Sequence, residues 1–142
     1  MKWRNIICVF VAIVLVLALS VATSAQKPLK AALCIVSMEF PFFVTMVEGA
    51  KDAGKVFNVE VTDYDGQNRP ELQMRQVEDA IAMGYDAILL NPITAEGLVP
   101  AVKKANAARV PVFTLDRDVV GGERVCYIGT SNVSAAEGGA RT

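Results

Sequence analysis

Val112-Phe113-Thr114-Leu115-Asp116-Arg117 sets four residues suited to a buried strand directly ahead of a carboxylate and a guanidinium. Apolar strand residues belong in a core, whereas Asp and Arg are almost never fully buried unless paired. A strand that delivers both at its tip aims hydrogen-bonding groups at something. In open parallel α/β sheets that place is the crevice at the carboxyl ends of the strands, where ligands bind. Ala87-Ile88-Leu89-Leu90 ends in the same manner, in Asn91-Pro92.

Working outward, the chain alternates strand and helix patterns. Ala31 to Val36 is a continuous apolar run that suits a strand buried on both faces and ends at Ser37. Pro41 fits a helix start, where its missing N–H costs nothing. Val44, Val47, Ala50 and Val56 then follow near helical spacing, which predicts a helix to about Phe57. Val59 to Tyr64 alternates as a second strand that ends at Asp65-Gly66. After the turn 67–70, Leu72, Gln76, Val77, Ala80 and Ile81 trace one helical face, with Arg75, Glu78 and Asp79 outside and Gly84 closing the helix. Thr94 suits an N-cap for a helix reaching Ala108, whose first turn Pro100 makes irregular until about Leu98. Gly121-Gly122 makes a turn and Val125 to Ile128 a fifth strand, after which Ser131 or Asn132 caps one more helix.

Strands alternating with helices of this length predict right-handed βαβ units. The expected fold is α/β, a doubly wound parallel sheet in a three-layer sandwich. Ser37, Phe42, Phe43, Asn91, Asp116 and Arg117 all fall at or just past strand ends, so they collect at one edge of that sheet. Asp accepts hydrogen bonds, Arg donates a planar fork, and Asn does both. Neighbouring hydroxyls need that mix, and two phenyl rings offer a flat apolar face to the C–H side of a sugar ring. Each feature also has a plainer explanation: core packing for the Phe pair, a surface ion pair for Asp116-Arg117, and a strand-to-loop turn for Asn91-Pro92. Their convergence on neighbouring strands favours a site.

Other classes lose ground on composition. The chain of 142 residues has no His, which removes Ser-His-Asp and Cys-His nucleophile arrangements and the commonest metal ligand. No Gly-rich phosphate fingerprint follows the first strand, and no second carboxylate is evidently paired with Asp116. An enzyme using Asp116 as base is therefore the weakest reading, and no cofactor or metal is expected. Residues 1–25 have the form of a cleaved signal peptide: Lys2 and Arg4 ahead of an apolar run, then Ala22-Thr23-Ser24-Ala25, with the cut after Ala25. The competing form, an uncleaved anchor, is short for the roughly 20 residues that a spanning helix needs. The signal holds two bases and no acid, so the remaining 26–142 carries 12 bases against 15 acids, a net charge of −3. That balance argues against nucleic acid, whose partners show a basic stripe. Cys8 leaves with the signal. Cys34 and Cys126 lie in apolar strand runs that are not neighbours, and are expected to be buried free thiols.

Pro41-Phe42-Phe43, Gly84-Tyr85-Asp86-Ala87-Ile88, Leu90-Asn91-Pro92 and the run from Val110 to Arg117, in this order and spacing, resemble the periplasmic sugar-binding proteins of the ribose-binding type. The resemblance covers about residues 30–142. It implies one lobe of a two-lobe binding protein that closes on a sugar and delivers it to the membrane permease of an ABC importer, or sometimes to a chemoreceptor. It implies a sugar-binding role for Ser37, Phe42, Phe43, Asn91, Asp116 and Arg117, with a Phe ring stacked on the sugar and Asn91, Asp116 and Arg117 bonded to its hydroxyls. Phe40 departs from the family pattern, which has Asn before Pro-Phe-Phe. That widens the expected ligand from ribose to other monosaccharides or polyols. The family needs a second lobe, so the sequence is expected to represent an incomplete N-terminal lobe (26–142) with half of a site. Transport is the first functional reading, and a sensory module that reports sugar occupancy to a receptor or kinase the second. Transcription factors of the lactose-repressor type share the lobe fold, but the signal peptide and the absence of an N-terminal helix-turn-helix exclude them.

Overall fold

The computed structural model describes Trp3 and residues 27–129. The expected signal peptide and the helix expected after Ser131 lie outside the described residues. Eight elements follow in order: β1 (Leu29–Ile35), α1 (Pro41–Phe57), β2 (Val59–Asp65), α2 (Pro70–Ala82), β3 (Ala87–Leu90), α3 (Val99–Ala107), β4 (Val112–Leu115) and β5 (Cys126–Ile128). The five strands form one sheet in the order β2-β1-β3-β4-β5, and every pairing is parallel. Strand order reverses between β1 and β3. In sheets of this kind the crevice for a ligand opens at the carboxyl ends beside that reversal.

The apolar strand runs have side chains for two cores, because successive residues point to opposite faces. Leu33 and Ile35 of β1 pack with Phe43 and Val47 of α1 on one face. Cys34, Ile88, Leu90 and Val112 pack on the other with Val77 of α2 and with Ala101, Val102 and Ala105 of α3. The sheet is thus sandwiched between α1 on one side and α2 with α3 on the other, the three-layer α/β arrangement that the alternation predicts. Each buried Leu or Ile contributes about 1.5–3 kcal/mol.

Helix boundaries follow local chemistry. Pro41 opens α1. α2 ends in a Schellman motif: Gly84 sits at φ 72, its N–H bonds to the Ile81 carbonyl at 3.1 Å, and the Tyr85 N–H reaches the Ala80 carbonyl at 3.1 Å. Pro100 falls in the first turn of α3, where its missing N–H breaks no helical bond. The residues ahead of it form turns, and the Thr94 hydroxyl caps the Gly97 N–H at 3.1 Å. Gly66, at the end of β2, passes so close to β1 that a Cβ would lie 2.6 Å from the Ile35 carbonyl oxygen.

Three expectations are corrected. Val56 is exposed, because the face of α1 that meets the sheet runs through Phe43, Val47 and Gly54. Two positions past Gly54, the helix has turned about 200°. On α2 the buried positions are Gln73, Val77 and Ala80, rather than a stripe through Leu72 and Gln76, which are only half-buried. Cys126 is exposed, as is all of β5. Cys34 is buried and free, and two strands separate it from β5.

Candidate functional site

The carboxyl ends of β1, β3 and β4 hold two rows of polar and aromatic groups. The inner row is buried. Ser37 is 1% exposed, and its hydroxyl accepts the Glu39 N–H at 3.2 Å. Phe43, at 8%, belongs to the α1 core and supports two other rings edge-on: Phe42 at 5.3 Å between centroids and Phe40 at 6.2 Å. Asn91 is wholly buried. Its Nδ2 donates to the Leu115 carbonyl at 2.7 Å and to Asp116 Oδ2 at 3.3 Å. Since a carbonyl only accepts, the bond to Leu115 fixes which way the amide lies. Asn91 Oδ1 therefore faces the other way, buried and with no hydrogen-bond partner among the described residues. An unmatched buried acceptor is costly, and in a native protein it calls for an explanation.

The outer row is open. Phe42 is 55% exposed. Phe42 and Phe43 are consecutive in α1 and so differ by about 100° around the helix axis. Phe43 takes the core position, which leaves Phe42 at the rim. Asp116 is half-buried and sits at φ 59, the left-handed region that Asp tolerates better than most residues. Its backbone is pinned from both sides. The Asp116 N–H donates to the Ile128 carbonyl at 2.8 Å, and the Tyr127 hydroxyl donates to the Asp116 carbonyl at 2.8 Å. Arg117 is exposed and folds back, its Nη1 donating to the Ile93 carbonyl at 3.0 Å. A cavity of about 270 Å3 opens between the two sides, lined by Phe42, Met46, Leu115, Asp116, Ile128 and Gly129.

Of the six residues the sequence points to, the structure brings Phe42 and Asp116 to one cavity and joins Asn91 to Asp116. Arg117 lies beside them, outside the cavity lining. Ser37 and Phe43 stand behind, inside the protein. Among the described residues, Asp116 is the one polar side chain of the cavity lining: its carboxylate can accept from hydroxyls, and the Phe42 ring offers an apolar face.

Two features escaped the sequence reading. Met46 lines the cavity, and its spacing of four from Phe42 places both on one side of α1, a signal that was available. Gln73 is wholly buried behind the rim. Its Nε2 donates to the Asn91 carbonyl at 2.8 Å and, at 3.4 Å, to the Cys34 carbonyl, while its Oε1 accepts the Ile93 N–H at 2.9 Å. The face expected from the sequence runs through Leu72 and Gln76, yet Gln73, Val77 and Ala80 share one face at helical spacing. Two neutral acids are shifted. The Cys34 thiol is pushed up from 9.0 to about 12 by desolvation. On the half-buried Tyr64, the hydrogen bond shared with Tyr85, with burial second, raises the phenol from 10.0 to about 12; their hydroxyls are 3.0 Å apart.

Residues 31–142 match the family model of the periplasmic binding protein domain. The chain belongs to that family. It is 36% identical over 118 residues to the ribose import binding protein of Escherichia coli, an overlap of 82% of this chain and 40% of that protein. It is 33% identical over 126 residues to the ribose import binding protein of Haemophilus influenzae, covering 89% of this chain and 42% of the relative. The chain thus spans about two-fifths of the length of these relatives. In fold it is similar to the periplasmic ribose ABC transporter structure from Conexibacter woesei, with a TM-score of 0.74 at 23% identity, over 84% of this chain and 40% of that one. The relatives are sugar-binding proteins of import systems, and none of these is named as an enzyme.

Proposed function

We propose that this chain is the substrate-binding component of an ABC-type sugar importer and holds a monosaccharide at the carboxyl ends of its strands. The observation that carries this reading is the pairing of Phe42 and Asp116 across one cavity. Asp116 is held in the left-handed region by backbone bonds to Tyr127 and Ile128, and conformations of that kind persist where the surroundings enforce them, often at binding sites. In this reading Asp116 accepts from sugar hydroxyls, Arg117 donates to one, and Phe42 lies under the C–H face of the ring. Asn91 Oδ1, buried and unmatched among the described residues, accepts a further hydroxyl in this reading. Phe43 backs the Phe42 ring, and Ser37 holds the turn that leads into α1. The similarity to ribose import binding proteins supports a pentose or a related monosaccharide, and a membrane permease is the macromolecular partner. Residues 1–25 act as an export signal cut after Ala25, which puts the protein outside the inner membrane.

Thermal-shift and calorimetric screening against pentoses, hexoses and polyols tests the reading. A saturable response to at least one monosaccharide is expected. A uniform lack of response across the panel overturns it.

A further inference from the structure

We infer that Gln73 is a positioning residue for the rim: through one buried amide it sets the placement of both Asp116 and Arg117. This rests on the sugar-site reading above for its function, but its geometry stands apart from any ligand. Gln73 lies in α2, on the sheet face opposite α1, and its side-chain hydrogen bonds among the described residues go to Cys34, Asn91 and Ile93, none of which lines the cavity. It acts through two branches. On the donor side, Nε2 holds the Asn91 carbonyl at 2.8 Å, and the Asn91 side chain in turn holds the Leu115 carbonyl and Asp116 Oδ2. On the acceptor side, Oε1 takes the Ile93 N–H at 2.9 Å, and the Ile93 carbonyl takes Arg117 Nη1 at 3.0 Å.

The orientation of this amide is settled by its partners. A backbone carbonyl can only accept and a backbone N–H can only donate, so Nε2 and Oε1 cannot exchange places. The third bond, to the Cys34 carbonyl at 3.4 Å, ties the same amide to the end of β1. One side chain therefore links the ends of β1 and β3 with the 91–93 segment, on which the two charged rim residues lean. A buried polar group that is fully matched holds its partners in one arrangement, because every alternative leaves a donor or acceptor unpaired in a dry interior. An apolar side chain of similar size would fill the same volume and hold neither branch.

The two branches need opposite halves of the amide, which gives a test that mere core filling does not pass. In Gln73→Glu the introduced carboxyl, when protonated, donates to the Asn91 carbonyl and accepts from the Ile93 N–H, as the amide does. Once ionised, it only accepts. Burial raises the pKa of such a carboxyl, so the change falls within about pH 5–9. The experiment follows side-chain and backbone NMR signals of the chain without ligand, for the unmutated protein, Gln73→Glu and Gln73→Met, over that range. In Gln73→Glu, the Asn91 side-chain amide and Asp116 signals are expected to titrate relative to the unmutated chain as the donor is lost, while the Ile93 N–H, still bonded and now to a charged acceptor, shifts downfield and the Arg117 guanidinium stays on the Ile93 carbonyl. In Gln73→Met both sets are displaced at every pH. If Gln73→Met does not fold, the pH split in Gln73→Glu decides alone. The inference is overturned if the Asn91 and Asp116 signals do not titrate in Gln73→Glu, or if the Ile93 N–H and the Arg117 guanidinium lose their hydrogen-bonded positions together with them. Screening of the unmutated chain against the panel of pentoses, hexoses and polyols forms a separate arm. Its failure removes the sugar reading and leaves the split untouched, whereas a positive response without the split removes Gln73 alone.

Discussion

The inner and outer rows of the rim are built from matched residue types put to different uses. Phe43 and Phe42 are adjacent in one helix, yet one is 8% and the other 55% exposed. Asn91 and Asp116 end neighbouring parallel strands, yet one is wholly buried and the other is open to the cavity. The inner member of each pair spends its bonding on the protein, and the outer member is presented by it. A polar strand end is therefore ambiguous by itself. Whether it is a strut or a contact depends on whether a neighbouring backbone group claims it, as the Leu115 carbonyl claims Asn91.

This contrast can be broken most forcefully at the phenylalanines. Phe43→Ala should cost about 3–5 kcal/mol in urea unfolding, the usual range for a buried Phe. Phe42→Ala should cost less than about 1 kcal/mol, as expected for an exposed site. Equal losses would erase the distinction between the rows. Asn91→Ala comes next, with an expected loss of about 2–3 kcal/mol from the severed strut and the space it leaves. A neutral result would show that the strut carries nothing.

Cys34, whose carbonyl lies under Gln73, adds an alkaline signature of the inner row. Its folded pKa is raised, so the unfolded chain gives up the thiol proton first as pH rises. The stabilising contribution is complete below the ordinary value of 9.0 and is lost as pH climbs towards about 12. Within that window one such group makes stability fall by about 1.4 kcal/mol per pH unit. Cys34→Ala should flatten the slope by that amount, measured by urea midpoints at about pH 8.5 and 10.5. Tyr64 also loses its proton late, and because the Cys34 charge is one of its smaller causes, Cys34→Ala trims that shift in the same direction. An unchanged slope would place Cys34 in contact with water.

The sheet was legible because its signals are periodic and redundant. The run at 31–36 is buried on both faces, those at 87–90 and 112–115 are buried on one face and half-buried on the other, and Pro41 and Gly84 punctuate the helices between them. The site was legible only as a set of strand ends. Nothing local distinguishes Asn91 from Asp116, since burial of the first depends on α2 and β4, which are remote in sequence. Gln73 was invisible for the same reason: its partners are backbone atoms of Cys34, Asn91 and Ile93, and backbone has no sequence signature.

The smallest stability change and the most direct test fall on the same residue. Asp116→Asn keeps a side chain that tolerates the left-handed region and removes the charge. Its melting temperature should stay within about 3 °C of the unmutated chain. Titration of both proteins with D-ribose, followed by NMR at Phe42 and residue 116, measures what the charge contributes. A saturable shift in the unmutated chain is expected, with at least about tenfold more sugar needed in Asp116→Asn, because a hydrogen bond to a charged acceptor is roughly twice as strong as one to a neutral group. Superimposable titration curves would contradict the assignment of Asp116 as a sugar contact.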